Sequence, residues 1–301
     1  MSALTAAQEG RNNGLGILAM VAGIFCMATM DALAKWLGES YSLSQIVFFR
    51  ALFAIPPVLI LAHFSGGLRL LKTQRPMVHI FRGVCTAVAI FSFFASLRVL
   101  PLAEAWAIAF AAPLIVTALS MPLLGEPVGW RRWSGVLIGF LGVLIVVRPG
   151  MTAFQPAALL ALATAVGYAL VMITGRKYAT TESTAALVFY TTLIPLALAG
   201  TVLPMNWQTP VGGDWALFVI LGTLGGLAML LLTQAFRLAQ AAVVVPFDYT
   251  AMIWSVAWGW LLWRDLPDAM AWAGAALIIV SGLYVAHREA QLRRQRGRHL
   301  D

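Results

Sequence analysis

Apolar residues occur along this chain in long runs, separated by short segments that carry charge, Pro or Gly. A helix needs about 20 mostly apolar residues to cross a membrane. The pattern therefore predicts an all-α membrane protein with ten transmembrane helices, at 14–37, 43–64, 76–98, 102–124, 130–148, 154–176, 184–204, 213–237, 241–263 and 268–287. The longest connection, 66–76, is too short to hold a soluble domain.

The composition agrees with a membrane protein. Of the 301 residues, 61% are hydrophobic and 11% charged, whereas soluble domains carry about 25% charged residues. The net charge of +8 comes from basic residues between apolar runs and at the C-terminus, which indicates membrane topology rather than nucleic-acid binding. Cys26 and Cys85 lie inside apolar runs, so we expect no disulfide framework, no metal site and no cofactor.

The basic residues also orient the spans. With the N-terminus in the cytoplasm, most of the 20 Lys and Arg residues fall on the cytoplasmic side, as the positive-inside rule requires. We therefore expect both termini in the cytoplasm and no removable signal peptide. The basic tail, 291–301, is expected to rest on anionic headgroups.

Two segments of the chain repeat. Residues 42–49 match 183–190 at a spacing of 141, and further on Trp133 matches Trp272 at a spacing of 139. Trp, Gly and charged residues account for the clearest matches, and apolar spans rarely repeat these by chance. The repeat divides the chain into two related halves.

The halves predict a first five-helix repeat at 1–150 and a second at 151–290, followed by the tail at 291–301. Because five is odd, the second repeat must cross the membrane upside down relative to the first. Inverted repeats are typical of secondary transporters, whose binding sites lie at the repeat interface near the middle of the membrane.

Four short motifs carry a family resemblance: FFR at 48–50, FASLRVLPLAEA at 94–105, PLLGEP at 122–127 and WRDLP at 263–267. In their order and spacing the sequence resembles the EamA-type members of the drug/metabolite transporter superfamily. The resemblance implies a ten-helix transporter that works by alternating access. Overall likeness is greatest to the YddG-type bacterial amino-acid exporters, which implies a bacterial inner-membrane protein that exports aromatic and other neutral amino acids.

Candidate cavity residues are polar or aromatic side chains inside spans, because a small-molecule site is mostly apolar with a few polar groups. They are His79, Trp106, Phe110, Tyr168, Asp248, Tyr249, Trp254 and Trp258. For the aromatic residues and His79, packing against lipid or another helix is an equal alternative. His79 also has the alternative of capping a cytoplasmic helix end.

Asp248 follows Pro246 at the start of an otherwise apolar run. A carboxylate inside a bilayer costs several kcal/mol unless it faces a cavity or a partner. One hypothesis is a structural salt bridge to Arg237, Arg176 or Lys177. The other is recognition of a substrate ammonium group or proton coupling.

Five further charged residues lie toward the predicted outer side: Asp31, Lys35, Arg50, Arg98 and Glu104. Asp31 and Lys35 are four apart and so share a helix face. We expect the five to form an ion-pair network that stabilises the outer side, or a gate whose pairs break during export.

Two acidic residues at helix ends, Glu126 and Asp265, are expected to pin those ends. Three glycines of the fifth span, Gly135, Gly139 and Gly142, indicate close helix packing or a dimer face.

The sequence predicts a secondary exporter of small amphipathic metabolites, with neutral or aromatic amino acids as the substrates. The alternative is a multidrug or other metabolite exporter of the same fold. Motifs for ATP binding or intramembrane catalysis do not occur, so we expect no enzyme. Expected partners are a small-molecule substrate and membrane lipids, proton coupling stays open, and the chain is expected to be a monomer or weak homodimer.

Overall fold

The structure is a computed structural model of the chain. It describes residues 3–64, 67–125, 129–150, 154–178, 181–239 and 241–298. Glu126 and the last three residues of the tail lie outside these ranges, so the predictions for them are not addressed.

The described chain folds into twelve α-helices, α1 to α12: Ala3–Leu37, Leu43–Phe64, Pro76–Leu97, Leu102–Ala109, Ala112–Leu124, Trp130–Val147, Ala157–Tyr178, Thr184–Val202, Asp214–Leu238, Ala241–Val244, Thr250–Trp263 and Ala269–Arg298. Three short 3₁₀ helices join them: Leu68–Leu71, Leu203–Met205 and Val245–Tyr249. Helix α12 continues beyond the predicted span end at 287, so the tail begins as an extension of this helix.

Nine spans in the described ranges are long and apolar enough to cross a membrane, with α4 and α5 together forming one of them. The all-α membrane fold predicted from the sequence is confirmed. The predicted ninth span, 241–263, differs because it is divided into α10, a 3₁₀ segment and α11. Pro246 lies in that segment and cannot donate the backbone hydrogen bond that a continuous helix needs.

The fourth span is interrupted in the same way. Helix α4 ends at Ala109 and α5 begins at Ala112, because Pro113 has no N–H to donate to the carbonyl four residues earlier. The two interruptions are related by the spacing of 139 found in the sequence. Phe110 of the first half therefore corresponds to Tyr249 of the second half.

The ends of these two spans also correspond. Gly125 follows α5 with φ 69°, and Arg264 follows α11 with φ 59°. Both are left-handed helix caps at the 139 spacing. Glycine adopts this conformation without strain, whereas a residue with a Cβ does so at a cost of roughly 1–2 kcal/mol.

Helix contacts follow a twofold pattern. Helix α1 packs on α9 and α11, while its counterpart α7 packs on α3, α4 and α5. Helix α2 packs on α8 and α9, while its counterpart α8 packs on α2 and α3. Exchanging the first five spans with the last five maps these interfaces onto one another, and it maps the α6–α12 contact onto itself.

The α6–α12 contact shows this exchange residue by residue. A Cβ added at Gly135 would lie 2.6 Å from Val285, and one added at Gly274 would lie 2.6 Å from Val146. Gly135 and Gly274 are 139 apart in the chain, as are Val146 and Val285. The two helices therefore run antiparallel, and each glycine packs against a valine of the other helix.

Close approach explains the glycines of α6. A Cβ at Gly142 would lie 2.8 Å from the carbonyl oxygen of Gly274, and one at Gly139 would lie 2.5 Å from Ser281 Oγ. The predicted packing role of Gly135, Gly139 and Gly142 is confirmed, because all three face α12 within the same chain.

The bundle has two ends. One holds the connections 38–42, 98–101, 206–213 and 264–268 and is called the predicted outer end; the opposite one is called the predicted cytoplasmic end.

Candidate functional site

A line of aromatic rings crosses the centre of the bundle. The ring centroids of Phe93 and Trp106 are 5.9 Å apart, those of Trp106 and Phe110 are 5.6 Å apart, and those of Phe110 and Tyr249 are 5.0 Å apart. The line begins on α3 and ends where both interrupted spans meet. Three predicted cavity residues, Trp106, Phe110 and Tyr249, are thus brought together.

Asp31 lies on α1 beside this line. Its residue surface is only 3% exposed, and the charges that act on it include Arg50 of α2. In the described part of the chain, no basic nitrogen lies within 4.0 Å of its carboxylate. The Nε1–H of Trp106 lies beside Asp31 but is buried without a hydrogen bond of ordinary geometry.

Arg50 faces the same space with weak partners. Its Nε donates to the sulfur of Met30 at 3.3 Å, and its guanidinium lies 5.8 Å from the ring centroid of Phe94. Tyr168 of α7 experiences the charges of both Arg50 and Asp31. We call Asp31, Arg50, Trp106 and Tyr168 the central cluster.

The central cluster draws on both halves. Asp31, Arg50 and Trp106 come from the first half, while Tyr168 comes from the second and is 37% exposed. Phe110 and Tyr249 border the cluster at the helix interruptions.

Asp248 lies in the 3₁₀ segment Val245–Tyr249, next to Tyr249. Within the described ranges, no basic nitrogen lies within 4.0 Å of its carboxylate. The structural salt bridge proposed for this residue is therefore not present. The regular helix expected around it is also absent, since Pro246 interrupts the span.

Trp254 and Trp258 pack against α1 rather than joining the central cluster. The ring of Phe25 lies 4.9 Å from Trp254 and 6.4 Å from Trp258, centroid to centroid. Trp258 Nε1 donates to Thr29 Oγ1 at 3.0 Å. Both side chains thus take part in the α1–α11 contact, and the Trp254 Nε1–H is buried without a hydrogen-bond partner in the described residues.

The five charged residues expected to form one outer network are divided among separate places. Asp31 and Arg50 belong to the central cluster, and Arg98 donates to the backbone oxygen of Tyr41 at 2.8 Å. The expectation of a single network was wrong. Asp31 and Lys35 lie on the same helix face but do not contact each other, because the long Lys35 side chain extends away from Asp31.

Lys35 and Glu104 form a second group at the predicted outer end. Lys35 Nζ donates to the carbonyl of Leu100 at 2.8 Å and lies 3.8 Å from Asp265 Oδ2. Glu104 experiences the charges of Lys35 and Arg148. Asp265 therefore joins α1 to the α11–α12 connection.

Arg148 supplies a contact that the sequence did not suggest. It donates to Asp268 across the predicted outer end, and this hydrogen bond lowers the pKa of the Asp268 carboxyl below its usual range. Arg148 also borders a pocket of about 240 Å³ with Glu104 and Gln155. Arg148 has φ 52°, a conformation that sequence patterns do not reveal.

His79 lies at the predicted cytoplasmic end, away from the central cluster. Its Nε2 is 3.0 Å from Glu182 Oε2, and its ring centroid is 4.5 Å from that of Tyr190. The side chains of His79 and Glu182 are almost completely buried. The hydrogen bond from His79 lowers the pKa of Glu182 below its usual range.

The predicted outer end has a matching arrangement. Tyr41 and Phe218 correspond to Glu182 and His79 at the 141 and 139 spacings, and their ring centroids are 5.1 Å apart. Tyr41 also donates to Asp214 Oδ2 at 2.5 Å. Each end therefore joins a residue before the second span of one half to the third span of the other half.

A further contact joins the halves at the predicted outer end. Gln45 Nε2 donates to the carbonyl of Gln208 at 2.7 Å, and the Gln208 N–H donates to Gln45 Oε1 at 3.1 Å. Sequence reasoning missed this pair, since a glutamine at a helix start carries no distinctive pattern.

The fold and the site define a multi-span membrane transporter. The EamA-like transporter family model matches residues 14–148 and again residues 155–286. The chain belongs to this family, which confirms the resemblance found in the motifs.

The chain is similar over most of its length to characterised transporters. It is 29% identical to an S-adenosylmethionine uptake transporter of Rickettsia felis, over 86% of this chain and 88% of that protein. It is 30% identical to the pseudopaline exporter CntI of Pseudomonas aeruginosa, over 88% and 94% of the two chains. It is 29% identical to a riboflavin transporter of Rhizobium johnstonii, over 98% of each.

A solved crystal structure matches the fold with a TM-score of 0.63 at 23% identity, covering 92% of this chain and 97% of the other. The family and these relatives agree with a metabolite transporter rather than an enzyme.

Proposed function

We propose that this chain is a secondary transporter that exports neutral and aromatic amino acids from the cytoplasm. It lies in the inner membrane of a bacterium with both termini in the cytoplasm. Residues 1–150 and 151–290 act as two inverted repeats that alternate access to a central site. The observation that carries the proposal is the buried Asp31 carboxylate, which faces Arg50 across an aromatic-lined centre without an ion pair in the described residues.

The position of the central cluster supports a substrate site. Interrupted helices at the interface of repeats are a common feature of transporter binding sites, and here Phe110 and Tyr249 meet at two such interruptions. Trp106 extends the apolar wall, while Asp31 and Arg50 supply charge. An amphipathic metabolite with an aromatic side chain matches this combination.

The two ends of the bundle supply gates in this proposal. Contacts such as Gln45–Gln208 at one end and His79–Glu182 at the other join the two halves. Opening to one side requires the contacts on that side to break while those on the other side hold. Coupling uses a carboxylate that binds a proton, with Asp31, Glu104 and Asp248 as candidates, or transport runs downhill.

A second candidate function is the transport of a larger metabolite. The relatives favour it, because their names include S-adenosylmethionine, pseudopaline and riboflavin. Those names also include both uptake and export, so direction needs a direct assay. The likeness to YddG-type exporters stays a prediction for the same reason.

The test is uptake into inside-out vesicles that contain the protein, with empty vesicles as control. The panel includes labelled neutral amino acids, S-adenosylmethionine and riboflavin, each with and without a pH gradient. The proposal expects saturable uptake of at least one neutral amino acid. Uptake of only riboflavin or S-adenosylmethionine would favour the second candidate, and stimulation by the gradient would indicate proton coupling.

A further inference from the structure

We propose that Asp31 and Arg50 together bind the zwitterionic head group of an α-amino acid, with the ammonium on Asp31 and the carboxylate on Arg50. This inference rests on the proposed transport function and deepens it. It also assigns the ammonium site to Asp31 rather than Asp248.

The separation of the two charges is the first argument. Buried ions are normally paired, because an uncompensated charge in an apolar interior is costly. Asp31 is 3% exposed and Arg50 is the cation that acts on it, yet no nitrogen of Arg50 lies within the 4.0 Å of a direct ion pair in the described structure. A zwitterion between them would neutralise both groups.

The geometry of an α-amino acid suits this gap. Its ammonium and carboxylate are attached to the same carbon, so their protein partners must face each other across a small space. Arg50 carries a planar fork of donors that matches a carboxylate. Its partners in the structure are the Met30 sulfur and the Phe94 ring, and neither is an anion.

Two neighbouring groups complete the site. The buried Trp106 Nε1–H lies beside the Asp31 carboxylate without a hydrogen bond of ordinary geometry, so a ligand at Asp31 is also within reach of this donor, which gains free energy from a well-formed hydrogen bond. Tyr168, from the second half, lies within electrostatic reach of both Arg50 and Asp31. The head group would thus contact both halves at once, which a substrate must do to couple their movement.

The line of aromatic rings indicates where the substrate side chain would lie. From Trp106 the aromatic line continues through Phe110 to Tyr249. A substrate whose head group lies at Asp31 and Arg50 can place its side chain along these rings. Aromatic pairs contribute roughly 0.5–1.5 kcal/mol beyond burial, so this wall favours aromatic amino acids.

Other charged groups fit the role less well. Lys35 is held by Leu100 and Asp265, and Arg98 is held by the Tyr41 carbonyl. Asp248 has only Tyr249 as an electrostatic neighbour and lacks a facing cation in the described ranges. Among the described residues, Asp31 and Arg50 are thus the acidic and basic side chains that face each other at the centre without an ion pair.

The test uses binding by the purified full-length chain in lipid nanodiscs, measured by isothermal titration calorimetry. The probes are L-phenylalanine, phenethylamine, which lacks the carboxylate, and 3-phenylpropionate, which lacks the ammonium. The proposal expects each analogue to bind about 10-fold or more weakly than L-phenylalanine, because a charge-assisted hydrogen bond is lost. This comparison needs no mutation, so misfolding cannot affect it.

Substitutions test which residue binds the ammonium group of the ligand and which binds its carboxylate. Asp31→Asn should remove the preference for L-phenylalanine over 3-phenylpropionate, and Arg50→Gln should remove the preference over phenethylamine. Asp248→Asn, a change of the same chemistry, should keep both preferences. Thermal unfolding of each variant checks that it is folded.

Two results would overturn the head-group site. One is wild-type protein that binds an analogue as tightly as L-phenylalanine; the other is folded Asp31→Asn and Arg50→Gln variants that keep the wild-type preferences. Either would leave the transport proposal standing if vesicle uptake of amino acids is observed. Wild-type protein that neither binds nor transports any neutral amino acid would overturn both proposals.

Discussion

The rings of Phe110 and Tyr249 are in contact, with centroids 5.0 Å apart and planes tilted by 51°, although 139 positions separate them in the chain. Each lies where a membrane span is interrupted, after α4 and before α11. The same spacing relates Gly135 to Gly274 and Gly125 to Arg264. The contact therefore joins equivalent points of the two halves at the centre of the bundle.

A double-mutant cycle should detect this contact. We expect Phe110→Ala and Tyr249→Ala each to lower thermal stability and the affinity for aromatic substrates. Their effects should couple by about 0.5–1.5 kcal/mol, because each removes the same ring pair. Thermal unfolding of the two single variants and the double variant gives the coupling. Strict additivity would show that the rings do not interact.

Because α6 packs closely on α12, adding a single methyl group at a glycine of this interface should lower stability markedly. Gly142→Ala places a methyl group 2.8 Å from the Gly274 carbonyl oxygen, and overpacking of this kind costs roughly 1–3 kcal/mol. Gly200→Ala is the control, since in the described part of the chain its Cβ would meet only the Phe48 ring, at 3.5 Å. We expect Gly142→Ala to lower the unfolding temperature and Gly200→Ala to leave it unchanged or raise it. Equal behaviour of the two variants would contradict the packing of α6 on α12.

The helix cap at Gly125 predicts an effect of backbone conformation alone. Gly125 has φ 69°, and an added Cβ would meet no atom of the described residues within 4 Å. Gly125→Ala should therefore destabilise the protein by about 1 kcal/mol through strain. Gly14, in helix α1, also has open space around it, so Gly14→Ala should stabilise the helix or have no effect. Chemical denaturation of both variants in detergent provides the comparison.

The lowered pKa of Glu182 predicts that the stability of the folded protein depends on pH. Its pKa is lowered in the folded protein by the hydrogen bond from His79, so the unfolded chain binds the proton more readily. The contribution of Glu182 is complete above its ordinary pKa of about 4.3 and is lost as the pH falls through the lower folded value. We expect wild-type stability to fall more steeply below pH 5 than that of Glu182→Gln.

The same variant has an effect at neutral pH. Glu182→Gln exchanges a charge-assisted hydrogen bond for a neutral one, so its stability at pH 7 should be lower by roughly 1 kcal/mol. Parallel stability curves for the two proteins at all pH values would show that the His79–Glu182 contact does not form.

Long apolar runs predicted the spans, because lipid requires long apolar helices with internal hydrogen bonds. The glycine pattern of α6 predicted its packing for a similar reason, since only small residues permit close approach. Pro246 stands just before Asp248 at the start of its apolar run. Pro246 produces a 3₁₀ segment, and Pro113 produces the matching interruption. Both depend on how neighbouring helices accommodate the backbone groups that lose their helical hydrogen bonds.

Pairing of charged side chains was harder to predict. Asp31 and Lys35 share a helix face, but Lys35 reaches Asp265 because long side chains extend along the helix toward polar ends. His79 lies next to Glu182, 103 positions away, and a single sequence contains no signal for such a contact. Asp31 and Arg50 were recognised as candidates, but their shared space with Trp106 and Tyr168 follows only from the three-dimensional arrangement.

Alternating access of the two halves is tested by locking one end of the bundle. Gln45 and Gln208 belong to different halves and exchange two hydrogen bonds at the predicted outer end. The native Cys26 and Cys85 are first replaced by Ala. In a Gln45→Cys/Gln208→Cys variant of that protein, a short reducible bifunctional thiol reagent can join the two positions. Each single-cysteine variant treated with the same reagent is the control.

The most direct measurement is amino-acid transport by this double variant in proteoliposomes, before cross-linking, after it and after reduction. The account predicts that cross-linking abolishes transport, that reduction restores it and that the treated single-cysteine variants remain active. Undiminished transport by fully cross-linked protein would contradict alternating access between the two halves.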